Sequence, residues 1–348
     1  MRGWKFNYRL FFKKNMTGLL IFVLFGISAA EWDRGLILKT IALAEVMPKG
    51  VISLNIVNEE NKIEITTQTK NGVMLENKKP DRSELFALSD EEKISYSDIN
   101  YLKNKFYIVD SRTDISENDI NAENFLERDF SLKEGDGPKI LIFHTHSHEC
   151  FADSNPSLGK ADGILKAGAY LKELMETKYG IETMHCTESF DYVDSKMKII
   201  GSYERMEPVI EKILKENPSI EVCIDMHRDG IADETKKLVT EVNGKPTAQV
   251  MFFNGLCRVY ENGNLVPTAG LENPYLEDNL AFSFNMKVAA DRLYPGFARR
   301  NYMNAYRYSL NMLPKSLLVE VGAQTNTVEE AVNAMEPLAE VLNAVLNK

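Results

Sequence analysis

The sequence predicts an α/β domain with a largely parallel, twisted sheet and helices on both faces. Short apolar runs of strand length alternate with longer segments whose apolar residues recur at helical spacing. Three of the apolar runs lead into histidines or carboxylates, the placement expected of a site at the carboxyl ends of parallel strands.

Before that domain the chain reads differently. The first fifteen residues carry Arg2, Lys5, Arg9, Lys13 and Lys14 and no acid, and residues 16–30 are uncharged and mostly apolar. Basic residues ahead of such a run predict export: a cytoplasmic tail at 1–15, a single-pass transmembrane signal anchor at 16–30, and everything beyond it outside the cytoplasm. At about 1.5 Å per residue the run covers roughly 22 Å, short for a hydrocarbon core. Ser28-Ala29-Ala30 also suits a signal peptidase, so an anchor and a cleaved signal both fit. The formal net charge of -10 excludes nucleic acid as a partner, because phosphate binding needs a basic face. Residues 31–135 mix polar, acidic runs such as Asn58-Glu-Glu-Asn-Lys62 with short apolar pieces, one of them the candidate strand within Leu102–Asp110. They are expected to form an extracytoplasmic stalk that gains order toward its end, or a small independent domain. The catalytic domain is expected at 136–348.

Within it, Lys139-Ile-Leu-Ile-Phe143 reads as a buried strand, and Gly163 to Tyr179 as a helix closed by Gly180. Met206 to Leu214 is a second helix, Ile220 to Asp225 a second buried strand, Leu280 to Tyr294 a third helix and Ser316 to Val321 a third strand. Lys237 to Cys257 has the character of an antiparallel edge or hairpin. A last helix opens on the capping box Thr327-Val-Glu-Glu330 and runs to Val345, with a kink expected at Pro337. The four cysteines (Cys150, Cys186, Cys223, Cys257) have no CxxC spacing and predict free or buried thiols.

The chemistry sits where the three strands end, at His144-Thr-His146-Ser-His148-Glu149, at Asp225-Met-His227-Arg228-Asp229, and at Glu320. Four of the chain's five histidines fall at the first two. A hydrolytic zinc site takes about three His, Asp or Glu ligands and one open position, with a carboxylate beside it to move a proton. His146, Glu149 and His227 supply such ligands, and Glu320 supplies the base. His144 is expected to support the ligands or touch substrate rather than ligate. Asp225 accompanies His227, and Arg228 is expected to meet substrate or orient Glu320, although a local ion pair with Asp229 is the bland alternative. His148 is expected to face solvent, and His185 to stand away from the site.

These segments resemble the stage II sporulation protein P family. The residues that carry the resemblance are Ile140 to Asp153, Asp225-Met-His-Arg-Asp-Gly230, and Glu320-Val-Gly-Ala-Gln-Thr-Asn-Thr327 with Glu329 to Pro337 after it. Phe252-Phe-Asn-Gly-Leu256, Asn273-Pro-Tyr275, Asn279 to Ser283 and Tyr294-Pro-Gly-Phe297 add to it. The resemblance implies a zinc-type N-acetylmuramoyl-L-alanine amidase acting on peptidoglycan, in a family also credited with cleaving peptide cross-links. It implies work with stage II sporulation proteins D and M during septal wall degradation and engulfment, at the cell membrane. It places His146 and His227 on the family's essential histidines and Glu320 on its catalytic glutamate. His148 stands where glutamine or threonine is more familiar, and Cys150 where a small residue is common. A zinc carboxypeptidase would use a similar ligand pattern, and a decayed wall-binding scaffold would keep the fold without the chemistry.

Overall fold

The computed structural model of the chain describes residues 82–347 and three earlier stretches, Lys5–Leu10 (β1), Ile52–Glu59 (β2) and Lys62–Thr69 (β3). The three strands form one antiparallel sheet in that order, within a unit spanning residues 1–79. Its β1 takes up part of the basic stretch. The expected span at 16–30 lies outside the described residues, and no helix among the described residues is long and apolar enough to cross a membrane.

The second unit begins at Pro80, not at 136. Its first elements are the helices Arg82–Phe86 (α1), Asp90–Tyr96 (α2) and Ile99–Phe106 (α3), the strand Tyr107–Val109 (β4) and the helix Ala122–Glu127 (α4). Ser89 and Glu92 form a capping box on α2, and the Asp98 carboxylate caps α3. Leu102 and Phe106 stand four apart on α3 and so share one face, which is buried with Tyr107, Phe125 and Phe284 in the main core. Residues 84–135, expected in the stalk, therefore belong to the domain. The short polar runs between their apolar residues masked a helical spacing too brief to stand out in the sequence.

The remaining elements follow in chain order. Strand Ile140–Phe143 (β5) leads through a 3-10 segment to helix Ile164–Tyr179 (α5), which Gly180 ends at φ 67°. Strand Thr183–His185 (β6) and the hairpin of Tyr192–Val193 (β7) and Lys196–Met197 (β8) precede helix Ser202–Glu216 (α6). Then come strand Val222–Asp229 (β9), the hairpin of Val239–Val242 (β10) and Lys245–Ala248 (β11), and strand Val250–Gly255 (β12). The hairpin of Arg258–Glu261 (β13) and Asn264–Pro267 (β14) leads to helix Leu276–Leu293 (α7) and strand Asn301–Asn304 (β15). Strand Lys315–Ala323 (β16) and the helices Val328–Asn333 (α8) and Met335–Leu346 (α9) close the chain.

Seven strands make the central sheet, in the order β4-β15-β12-β16-β9-β5-β6. All neighbours are parallel except β12 and β16, so the expected largely parallel α/β sheet is present. The stretch expected as an edge or hairpin splits its character: β10 and β11 form the hairpin, whereas β12 lies inside the sheet between β15 and β16. The expected terminal helix is broken at Ala334 rather than kinked at Pro337. Pro337 falls in the first turn of α9, where its missing N–H leaves no bond unmade.

Helices lie on both faces but not evenly. On one face α5, α7 and α9 bury Ile140, Ile142, Ile224, Phe252 and Val319. On the other, Met206 and Ile210 of α6 pack on Leu141, Phe143 and Cys223. That second face is covered over β5 and β9, and the half beyond β16 is left to loops. The site lies at the border.

Candidate active site

Because β5, β9 and β16 are adjacent and parallel, their carboxyl ends are neighbours. Phe143 and Leu318 both pair with Asp225, and Glu320 pairs with His227. Side chains alternate along a strand, so Asp225 and His227 share a face, and Leu318 and Glu320 share the same one. Residues separated by scores of positions in the chain are thereby set within one side-chain length of each other.

His227 is the hub. It is 3% exposed, its Nε2 is 2.8 Å from Asp225 Oδ1, and its Nδ1 is 3.6 Å from Glu149 Oε2. The Nε2 contact is a close charge pairing, off the line of an aligned hydrogen bond. Burial alone would lower the imidazole pKa; the carboxylates of Asp225 and Glu149 outweigh it and raise it well above the ordinary value. Asp225 is itself buried, which would favour its neutral form, but the His227 charge and two bonds from Thr145 hold it ionised. Thr145 donates its backbone N–H at 2.9 Å and its hydroxyl at 2.7 Å. Glu149 is fixed from the other side, since its Oε2 accepts the backbone N–H of Arg228 at 2.7 Å.

His146 stands edge-on to His227, ring centroids 5.3 Å apart, and edge-on to Tyr203 at 5.7 Å. Its Nδ1 is buried with no partner. Burial, then the charge of His227, keep its pKa below the ordinary value. Glu320 as a residue is half-buried, yet its Oε2 is enclosed and also lacks a partner. Burial raises its carboxyl pKa against the pull of His227. Buried polar atoms are nearly always bonded, so an orphaned imidazole nitrogen and an orphaned carboxylate oxygen at one sheet end mark a place shaped for something else.

His144 does not face this cluster. Its Nδ1 is 2.8 Å from the carbonyl oxygen of Met226 and its Nε2 is 2.8 Å from His185 Nε2. A carbonyl only accepts, so Nδ1–H donates to it and Nε2 accepts from His185. Burial keeps both rings neutral, holding their pKa values down to about 3 and about 4. The pair clamps the peptide just before His227. His148, expected to face solvent, is instead tied at Nδ1 to Asp191 Oδ1 (2.8 Å) and stacked on Tyr192. Arg228 makes no ion pair with Asp229, whose Oδ2 takes Arg299 Nη1 at 2.7 Å; the Arg228 Nε is buried without a partner. Cys150 is a half-buried free thiol beside Glu149.

The sequence reading missed His185, Thr145, Asp191 and Tyr203. His185 was findable, because it ends β6, the strand beside β5, and the strand-end rule applied to the other histidines applies to it too. Tyr203 gives no such signal: it lies in the first turn of α6, and only the packing of that helix brings it to His146.

Two imidazoles and a carboxylate are donors of the kind zinc takes, and the unpartnered Nδ1 of His146 leaves room for such a bond. The donor set fits the ion in kind. Among the described residues no three His, Cys, Asp or Glu side chains already stand as a metal-holding group.

The family model for stage II sporulation protein P matches residues 45–343. The stage II sporulation protein P of Bacillus subtilis (strain 168) is 22% identical over 222 residues, covering 60% of this chain and 51% of that protein. The chain thus matches about half the length of that relative. Among solved structures, the CwlD amidase of Clostridioides difficile, in complex with the GerS lipoprotein, is similar over 59% of this chain and 96% of its own, at 12% identity and a TM-score of 0.38. The catalytic domain of CwlV, an N-acetylmuramoyl-L-alanine amidase of Bacillus (Paenibacillus) polymyxa var. colistinus, is similar over 59% and 96% at 10% identity, TM-score 0.30. For the apo N-acetylmuramyl-L-alanine amidase Ami1 of Mycobacterium abscessus the figures are 60%, 98%, 12% and 0.31. At these scores the likeness does not establish a shared fold.

Proposed function

The chain belongs to the stage II sporulation protein P family, and on that premise we propose that it is a zinc-dependent N-acetylmuramoyl-L-alanine amidase of sporulation. Its reaction is hydrolysis of the amide between muramic acid and the L-alanine of the stem peptide, in wall removed at the septum and during engulfment. The observation that carries the reading is the convergence of His146, Glu149, His227 and Glu320, with His146 Nδ1 and Glu320 Oε2 buried and unpartnered.

In this mechanism His146, Glu149 and His227 would hold the metal. Zinc, when bound, polarises the amide carbonyl and lowers the pKa of water from 15.7 to about 7. Asp225 keeps His227 in one orientation and raises its basicity, the usual task of a carboxylate behind a ligating histidine. The Arg228 N–H holds the Glu149 carboxylate in place, and the His185–His144 pair braces the Met226 carbonyl. Glu320 takes the proton from the attacking water and returns it to the leaving amide nitrogen. A carboxyl whose pKa burial has raised toward neutrality is suited to both halves of that transfer.

We place the catalytic unit outside the cytoplasm, at the cell membrane, on the export character of residues 2–30. Its partners in this reading are stage II sporulation proteins D and M. The test is to assay bound metal and to digest purified peptidoglycan with wild type, His146→Ala and Glu320→Ala. Free muramic acid ends and released stem peptides, with metal lost in His146→Ala and kept in an inactive Glu320→Ala, support the reading. Free C-terminal residues or opened cross-links in their place would reassign the bond to a peptidase, and metal-free, inactive wild type that still binds wall would make it a scaffold.

A further inference from the structure

From Tyr203 of α6, aromatic rings run across this face of the sheet and form a continuous path away from His146. Tyr203 stands edge-on to His146 at 5.7 Å and to Tyr308 at 5.5 Å. Tyr308 stands edge-on to Phe253 at 4.7 Å, and Phe253 is stacked on Tyr302 at 5.2 Å with 29° between the rings. Strand register explains the last pair. Phe253 pairs directly with Tyr302 and with Leu318, and Leu318 shares a face with Glu320, so the two rings lie on the Glu320 side of the sheet. Their neighbours Phe252 and Met303, pointing the other way, are fully buried.

Phe253, Tyr302 and Tyr308 stay only partly buried, although they lie over the middle of the sheet. Tyr308 also holds a left-handed backbone, φ 56°, which a bulky residue adopts rarely and which collects at binding sites. At the far end, Asp110 accepts Tyr302 Oη–H at 3.0 Å and takes Arg112 through Nε at 2.7 Å and Nη2 at 3.0 Å.

We infer that this aromatic face is a subsite for the glycan strand, receiving the pyranose rings on the muramic acid side of the scissile bond. The inference rests on the amidase reading and adds where the substrate's sugar half lies. Three features favour sugar over stem peptide. The C–H bonds on one side of a pyranose form an apolar, positively polarised surface that matches the negative face of an aromatic ring. The planar Asp110–Arg112 pair and Asn304, whose Oδ1 takes Arg112 Nη2 at 3.2 Å, offer donors and acceptors to ring hydroxyls at the rim. Arg112 and Arg299, two cations along the face, are already matched with Asp110 and Asp229, so neither is free to meet an acidic peptide. The path begins at the candidate ligand His146, so a strand laid along it presents its muramic acid at the catalytic end.

The test uses the full chain and two probes, peptide-free glycan strands and the free stem tetrapeptide, each titrated against wild type and variants. Phe253→Leu and Tyr302→Leu keep apolar volume without a flat ring; Phe253→Tyr and Tyr302→Phe keep the ring. Glycan affinity is expected to fall roughly tenfold in the leucine variants and to stay within about twofold in the ring-keeping ones, with tetrapeptide binding unmoved. Equal glycan binding by all variants, an equal loss in the ring-keeping variants, or a loss confined to the tetrapeptide would overturn the assignment. Digestion of intact wall by the same preparations separates the two readings. Ring-dependent glycan binding without release of stem peptides defeats the amidase reading and leaves the subsite; release of stem peptides with ring-independent binding does the reverse.

Discussion

Gly168 offers the sharpest test of how the second layer supports the site, because two effects of opposite sign meet there. It lies inside α5, where alanine is worth about 1 kcal/mol more than glycine in helix propensity. On that ground alone Gly168→Ala stabilises the protein. A Cβ at this position, however, would lie 2.7 Å from His144 Nε2, 2.9 Å from His144 Cε1 and 2.9 Å from His185 Nε2. Neither ring can swing away freely. His144 is fully buried and bonded at both nitrogens, and separating the pair strands polar atoms in the core. Overpacking costs about 1–3 kcal/mol, and a nitrogen pushed off its partner adds about 1 kcal/mol, the low end of that penalty. The clash outweighs the propensity gain, and a net loss of about 1–3 kcal/mol is expected. In a unit of this size that lowers Tm by roughly 3–10 °C. Peptidoglycan hydrolysis should fall with it, since displacing His144 releases the Met226 carbonyl next to His227. Thermal unfolding and wall digestion, run on wild type and variant together, check both. A Gly168→Ala protein that melts higher and digests wall at the wild-type rate would refute the clamp.

Other outcomes follow from the same geometry. Glu320→Gln should lower hydrolysis by roughly 10²–10⁴-fold, the usual contribution of a positioned base, while leaving bound zinc unchanged by metal analysis. In chelator-treated protein its effect on stability has a definite sign. Burial raises the folded carboxyl above its ordinary 4.5, so the folded state keeps a proton that the unfolded chain releases, and Glu320 costs stability progressively as pH rises past that value. Glu320→Gln should therefore match wild type in melting near pH 4 and exceed it near pH 8; equal curves at both would show the carboxyl unperturbed. Asp225→Asn keeps the shape but removes the charge that holds His227, and a fall in zinc affinity of about 10–100-fold is expected by competition with a chromophoric chelator. Phe284→Ala removes the ring that Tyr96, Phe106, Tyr107 and Phe125 all touch and should cost about 3–5 kcal/mol in denaturant unfolding. A chain begun at 136 would lose four of those five rings at once and is expected to aggregate, whereas one begun at Pro80 is expected to fold; soluble, monomeric protein from the shorter chain would show residues 84–135 to be dispensable.

By itself the sequence determined the alternation of strands and helices, the buried strands at 140–143 and 222–225, and the gathering of His146, Glu149, His227 and Glu320 at strand ends. These are local properties. Apolar runs have a period, strands have ends, and a scarce residue such as histidine stands out by its position. Cap chemistry was equally local, as at Thr327 and Gly180.

What the sequence could not carry was set by the order in which strands pair. Only the register of β16 on β9 puts Glu320 opposite His227, and only the pairing of β12 with both β16 and β15 places Phe253 and Tyr302 on that same face. The His144–His185 pair needs β6 beside β5 and a helix with no side chain at residue 168, two conditions met by separate parts of the chain. The reach of the domain back to Pro80 is of the same kind. Short segments such as α3 and β4 have too few residues to show a period, and they hold their shape because Phe284 and its neighbours bury them. Tertiary burial decided those elements, since the free energy that orders them comes from a surface the local sequence does not contain.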